Sequence, residues 1–288
     1  MRRSFNMLVA TLTACGASSA DDEASDAASC TRPSTDAPWV AAFVENAVAE
    51  LAATPRASPA ERDRARAYLL AQLELLGWQA EEHAYSGGAN VHATMPPTGG
   101  AAPRIVIGAH FDSAAVGPGA NDNASGVAAV LAVARFVGES PCRAAPVTIA
   151  LFDQEESGLI GSQAYAQTLT PADVKAVYTI DQVAWDSDGD RVFELELPPP
   201  ALESRWRAAA VRLGASISVT STTGTDHQSF RERGFDAVGL TEEYVGGDTS
   251  PHIHRATDTP ASIAPHLTYL ALAARLASEV VLDDIAPP

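Results

Sequence analysis

The stretch Ala150–Ser162, ALFDQEESGLIGS, runs from an apolar segment directly into two adjacent glutamates, Glu155 and Glu156. His110 and Asp112 follow the apolar run RIVIGA in the same manner, and Asp181 follows KAVYTI. Alone, each is an ordinary cap or solvated loop residue. Gathered at one place they would form a crowd of like charges, which raises the carboxyl pKa values and is costly unless a cation neutralises it. Imidazole and carboxylate donors suit zinc, and an open site built from them is catalytic in character. A structural zinc site would call for clustered cysteines, whereas Cys15, Cys30 and Cys142 are scattered.

Whether these groups meet depends on the elements that carry them. SPAERDRARAYLLAQLELLGW opens with Ser58, has Pro59 at the first helical position and Glu61 three residues after the serine, and stops at Gly77; these are helix start and stop signals, a capping box included. An amphipathic helix is expected over Trp39 to Ala52. Strands are expected near Trp78 to Tyr85, Asn90 to Met95, RIVIGAH, PVTIALF and KAVYTI. NDNASGVAAVLAVARFV reads as a helix entered through Asn121, Asp122 and Asn123. A helix around Ala201 to Leu213, short strands near Ile217 and Ala237, and a long helix from Pro260 to Leu282 complete the order. Alternating strands and helices predict an α/β three-layer sandwich with a central, mostly parallel mixed sheet flanked by helices. Such sheets gather ligand chemistry at the carboxyl ends of their strands, where His110, Asp112, Glu155, Glu156 and Asp181 all fall.

At this point six segments in order, GAHFDS, GANDNASGVAAVL, FDQEESGLIGS, TIDQVAW, TDHQSFRERGF and HIHRATDT, resemble the signatures of the co-catalytic dizinc aminopeptidases of metallopeptidase clan MH, the bacterial leucyl aminopeptidase type. The resemblance spans about Arg104 to Thr259. It implies two Zn2+ ions per chain, with Asp122 bridging them, Glu156 and His254 completing one, and His110 and Asp181 completing the other. It further implies Glu155 as the general base, Asp112 as the partner that orients His110, and a cis peptide bond between Asp122 and Asn123. Asp226 and His227, in a segment where Thr225 replaces the family's serine, are implied to support the ligands or line the substrate pocket. His254 rather than His252 fits the histidine of the last segment. His83, His92 and His266 have no such context and read as ordinary surface or core residues.

The family often supplies a tyrosine hydroxyl to the developing oxyanion. Here the corresponding places hold Thr222 and Ile253, and Tyr244 is the nearest tyrosine in sequence. Asp153–Gln154 stands where small residues are usual, and reads as added charge at the rim or as innocuous surface variation. The loops that would select a side chain are expected around Trp185 to Phe193 and Thr220 to Phe230.

The implied activity is removal of N-terminal residues from peptides with free N-termini. Glutaminyl cyclase on the same scaffold, using one zinc, is the alternative enzyme; a non-catalytic binding relative is the alternative outside catalysis, although such relatives lose ligands that this chain retains. Carboxypeptidases of the clan carry an inserted domain, for which the interval from Asp181 to His254 leaves little room.

Composition bounds the rest. With 288 residues, 46% hydrophobic, the chain can build one sizeable core. A net charge of −17 repels phosphate backbones, so no nucleic-acid partner is expected. MRRSFNMLVATLTAC has a basic start, an apolar run too short to span a bilayer, and the ending Leu12–Cys15 that resembles a bacterial lipobox. Residues 1–15 are therefore expected to be a lipoprotein-type signal, residues 16–30 a flexible acidic tether, and residues 31–288 a single peptidase domain. The protein is expected to be exported, secreted or held at a bacterial cell envelope with membrane contact only through a lipid on Cys15, and monomeric. Export permits disulfides, and with Cys15 acylated the pair left over is Cys30 and Cys142.

Overall fold

A computed structural model describes residues 30–100 and 102–287; the leader and tether expected before Cys30 lie outside the described residues. One eight-stranded sheet runs through the molecule in the order β1-β2-β4-β3-β5-β8-β6-β7. Its strands are β1 (Ala80–Tyr85), β2 (Gly88–Met95), β3 (Arg104–His110), β4 (Val147–Phe152), β5 (Val174–Ile180), β6 (Val192–Glu196), β7 (Ser216–Thr220) and β8 (Ala237–Thr241). The four central strands β4, β3, β5 and β8 are parallel, as is the β6–β7 pair, while β1–β2, β2–β4 and β6–β8 are antiparallel. This is the mixed, mostly parallel sheet expected.

Both faces of the central strands are covered, which is why their sequences are continuous apolar runs rather than alternating ones. On one face Ile105, Ile107, Val147, Ile149 and Leu151 pack under the helices α1 (Val40–Leu51), α2 (Pro59–Leu75), α3 (Gly126–Glu139), α5 (Pro200–Leu213) and α8 (Leu267–Ile285). On the other, Val106, Ala150, Phe152 and Val177 meet Tyr165 of α4 (Ile160–Ala166) and Phe230 of α6 (His227–Arg231). The sandwich is thus lopsided, with one thick helical layer and one thin.

Helix α2 starts as its sequence dictates: the Ser58 hydroxyl accepts from the Glu61 N–H and the Glu61 carboxylate accepts from the Ser58 N–H. Three elements depart from expectation. Strand β6 occupies part of what reads as a loop, because Val192–Glu196 is short and places two glutamates in the sheet. The C-terminal helix is broken, with Pro260–Ile263 forming a separate turn, α7, before a 3-10 turn at Ala264–His266 and then α8; Pro265 supplies no backbone donor. The entry to α3 departs in part: Asn123 Oδ1 accepts from the Gly126 N–H (2.9 Å) as an expected cap does, but a wide turn over Ala120–Ser125 precedes the helix, with non-helical backbone at Asp122 (φ −106°, ψ 93°) and Asn123 (φ −133°, ψ 43°).

The register brings the chemistry together. His110 lies beside Phe152 across β3 and β4, Gly108 beside Thr179 across β3 and β5, and Ile180 beside Leu240 across β5 and β8. The residues that follow β3, β4 and β5 therefore leave the sheet at the same level.

Candidate metal centre

His110, Asp122, Glu155, Glu156, Asp181 and His254 converge at the carboxyl edge of the central strands. His110 Nε2 is 3.3 Å from Asp122 Oδ1 and 3.3 Å from Asp181 Oδ1. His254 Nε2 is 3.1 Å from Asp122 Oδ2 and 3.1 Å from Glu156 Oε2. Two sets of three donors result, His110–Asp122–Asp181 and Asp122–Glu156–His254, each with its ligand atoms within 4.8 Å of one another and each using Asp122. Glu155 belongs to neither set, although its Oε2 lies 4.0 Å from His110 Nε2.

The backbone is held around these donors by buried polar side chains. Asp112 accepts from the N–H groups of both Glu155 (3.0 Å) and Glu156 (3.2 Å), while its Oδ1 stands 3.4 Å from His110 Nδ1. One carboxylate thus ties the turn after β4 to the end of β3. Asn123 donates to the Ile180 carbonyl and accepts from the N–H of Gln182, bracketing Asp181. Asn121 accepts from Ala184 N–H and donates to Glu242. Asp258 accepts from the N–H groups of Asn121 and Asp122. The peptide between Asp122 and Asn123 is cis, as the resemblance implies. Gly119, at φ +61°, turns the chain so tightly that a Cβ there would stand 2.2 Å from the Asp122 carbonyl oxygen.

Carboxylates outnumber imidazoles in the cluster. Burial, reinforced by Asp181, Asp226 and Asp122 against the opposing pull of His110, pushes the Glu155 carboxyl up to about 10. Burial and Asp122 push Glu156 up to about 7. Hydrogen bonding to Asp122 and the Glu156 charge raise His254 to about 9, against burial. Burial alone would lower His110, but Asp181, Glu155 and the contacts with Asp112 and Asp122 hold its imidazole well above the usual range. Glu156 Oε1 and His110 Nδ1 are buried without a hydrogen-bond partner. A set of imidazole and carboxylate donors, crowded and with buried polar atoms unpaired, fits a divalent cation such as zinc.

A cleft of about 340 Å³ opens over these groups, lined by Asp122, Glu155, Glu156, Asp181 and His254 together with Thr222, Thr225, Tyr244 and Ile253. Thr222 and Ile253 thus reach the cleft, and so does Tyr244, which is 42% exposed. Asp226 and His227 do not line it; both are buried behind it. Burial pushes Asp226 up to about 7, and His227 Nδ1 lies 2.7 Å from Thr225 Oγ1 and 3.2 Å from Glu196 Oε2. Asp153 is neither a rim charge nor an innocuous surface variant: it is fully buried, with Arg62 Nε at 2.8 Å and Arg66 at 3.2 Å. Sequence reasoning missed Asn121, Asn123, Glu242 and Asp258 as supports. Asn121 and Asn123 resembled helix caps, and only their flanking of Asp122 hinted at more.

The profile described as Peptidase family M28 matches residues 90–278. Among curated proteins, the probable lipoprotein aminopeptidase LpqL of Mycobacterium tuberculosis is 32% identical, over 56% of this chain and 39% of its own length. Aminopeptidase YwaD of Bacillus subtilis is 32% identical over 50% of this chain and 32% of its own length. The chain therefore spans well under half of these relatives. Among solved structures, the aminopeptidase from Aneurinibacillus sp. strain AM-1 superposes with a TM-score of 0.76 at 18% identity, covering 86% of this chain and 94% of that one. A Porphyromonas gingivalis glutaminyl cyclase superposes with a TM-score of 0.71 at 20% identity, covering 85% and 97%. Both likenesses are of fold.

Proposed function

Because the chain belongs to peptidase family M28, we propose that it is a dizinc aminopeptidase that removes N-terminal residues from peptides with free N-termini. The observation that carries this reading is the pair of donor sets sharing Asp122. His110 and Asp181 would hold one ion, Glu156 and His254 the other, and Asp122 both. Zinc, when bound, supplies Lewis acidity to a water and to the scissile carbonyl.

Glu155 takes the proton of the attacking water and delivers it to the leaving amine. Its place beside both donor sets and inside neither supports that role. Asp112 fixes the direction of both glutamates through their backbone N–H groups, so neighbours in sequence face different partners. The carboxylates lining the cleft, with no lysine or arginine among them, suit the free α-amine of a substrate. Tyr244 is the tyrosine that lines the cleft and is the candidate oxyanion donor. Asp226 and His227, buried behind the cleft, act as supports.

Export is the second part of the proposal. The leader with its lipobox-like Cys15, the lipoprotein named among the relatives, and the bond between Cys30 and Cys142 support an oxidising, extracytoplasmic location. Among the described residues no helix is long and apolar enough to cross a membrane.

Mass spectrometry of a peptide mixture incubated with the zinc-loaded chain tests the activity. The mixture holds free, N-acetylated and N-terminal glutamine peptides. Loss of single residues from free N-termini alone is the expected result. Equal cleavage of N-acetylated peptides would refute α-amine recognition, and loss of ammonia from the glutamine peptides would reassign the protein as a cyclase.

A further inference from the structure

Between α1 and α2 the chain buries an arginine whose side chain meets no carboxylate. Arg56 is 2% exposed. Its Nε donates to the Phe111 carbonyl (2.6 Å), one terminal nitrogen to those of Leu51 (2.9 Å) and Pro118 (2.5 Å), and the other to that of Gly119 (2.9 Å). Its backbone N–H donates to Ser113 Oγ (3.0 Å). Among the described residues no carboxylate comes within the 4.0 Å of an ion pair, although Asp112, Asp122, Asp258 and Glu156 act on the guanidinium through space. Burying a charge is costly unless its donors are used, and here all the acceptors are main-chain oxygens at chosen places. Phe111 sits between His110 and Asp112. Pro118 and Gly119 lead into Asn121 and Asp122, and Leu51 ends α1. A Cβ on Gly119 would stand 3.1 Å from the guanidinium, so the approach is close.

We propose that Arg56 is a positioning residue that preassembles the metal centre, clipping the segment after His110 to the segment before Asp122 so that the donors are spaced for metal before metal arrives. The proposal rests on the dizinc reading above. The rigid planar fork of arginine, with donors spread in fixed directions, is what lets one side chain span three segments; lysine keeps the charge and cannot reach them all. A site that is assembled only part of the time binds with an affinity reduced by that fraction. A guanidinium acting only through its charge would do the opposite, since a fixed positive charge opposes cation binding.

Zinc affinity of the full chain, measured by competition with a chromophoric chelator, tests this for wild type, Arg56→Met, Arg56→Lys and a remote buried control, Tyr178→Phe. Hydrogen exchange of the metal-free proteins over residues 108–124 is followed alongside. Both Arg56 variants are expected to bind zinc about 10- to 100-fold more weakly and to lose exchange protection in that segment, while Tyr178→Phe lowers stability and leaves the zinc midpoint unchanged. If Arg56→Met does not fold, Arg56→Lys decides. Zinc binding that is unchanged or tighter in the variants overturns the proposal, and so does a Tyr178→Phe midpoint that moves equally. Failure of the wild-type chain to bind zinc refutes the dizinc reading itself, and this proposal with it.

Discussion

Adjacent side chains with different work are the main lesson at the scale of single residues. Glu156 contributes an oxygen to a donor set with Asp122 and His254, whereas Glu155 stands outside both sets. Glu155→Gln is therefore expected to lower kcat/KM by about 10²- to 10⁴-fold, the usual contribution of a positioned acid–base, with zinc content unchanged; loss of zinc along with activity would make Glu155 a ligand instead. The convergence of His110, Asp112, Glu155, Glu156 and Asp181 was legible from apolar runs that end in polar groups. Asp122 and His254 were legible only by resemblance, because an aspartate in NDN and a histidine in a turn carry no pattern of their own. Arg56 and Asp258 were not legible at all. Apart from Leu51, five positions from Arg56, their partners are backbone groups 55 and 136 or more positions away, and no local periodicity encodes such a contact.

Among the elements, the turn between β4 and α4 bears most on the site. Asp153 anchors it: Arg62 and Arg66 reach across from α2, the Ala89 N–H donates to its carboxylate, and the Tyr85 hydroxyl donates to its carbonyl. Replacing Asp153 by alanine would take the only ion-pair partner among the described residues from the buried Arg62 and leave Arg66 to Asp63 and Glu82 at the surface. The expected loss of stability is about 3–5 kcal/mol, read from chemical denaturation, with a smaller loss for Asp153→Asn. A change within experimental error would mean the arginines find other partners. Helix α2 explains the coupling, since its capping box fixes where the helix starts and hence the heights of Arg62 and Arg66. The sequence signals for α2 were strong because capping is local. Strand β6 was missed because five residues between turns give too few alternations to show a period, and its identity is fixed by β7 and β8 on either side.

Across the whole molecule, the first described residues are fastened to the last helix. Arg32 and Arg212 both pair with Glu279 and Asp283 on α8, and the Thr35 hydroxyl donates to Glu279 at 2.6 Å. Burial alone would raise the Glu279 carboxyl, but the bonds from Thr35 and Arg212 and the charge of Arg32 hold it below its usual range. A depressed carboxyl contributes stability that is present above its unfolded pKa and is lost as pH falls through the folded value. Wild type should therefore lose stability faster than Glu279→Gln as pH drops below about 4.5, the difference in Tm shrinking toward zero; parallel curves would show that this carboxylate adds nothing to acid stability.

The bond between Cys30 and Cys142 also has a geography. Both cysteines lie near Thr98, Ala144 and Pro287, where β3 and β4 begin, while the donors stand where those strands finish. Strands of six and seven residues separate the two poles by about 20 Å at roughly 3.3 Å per residue. The molecule is gripped at its base and open at its crown. Cys30, the first described residue, thus enters the fold at the pole away from the cleft.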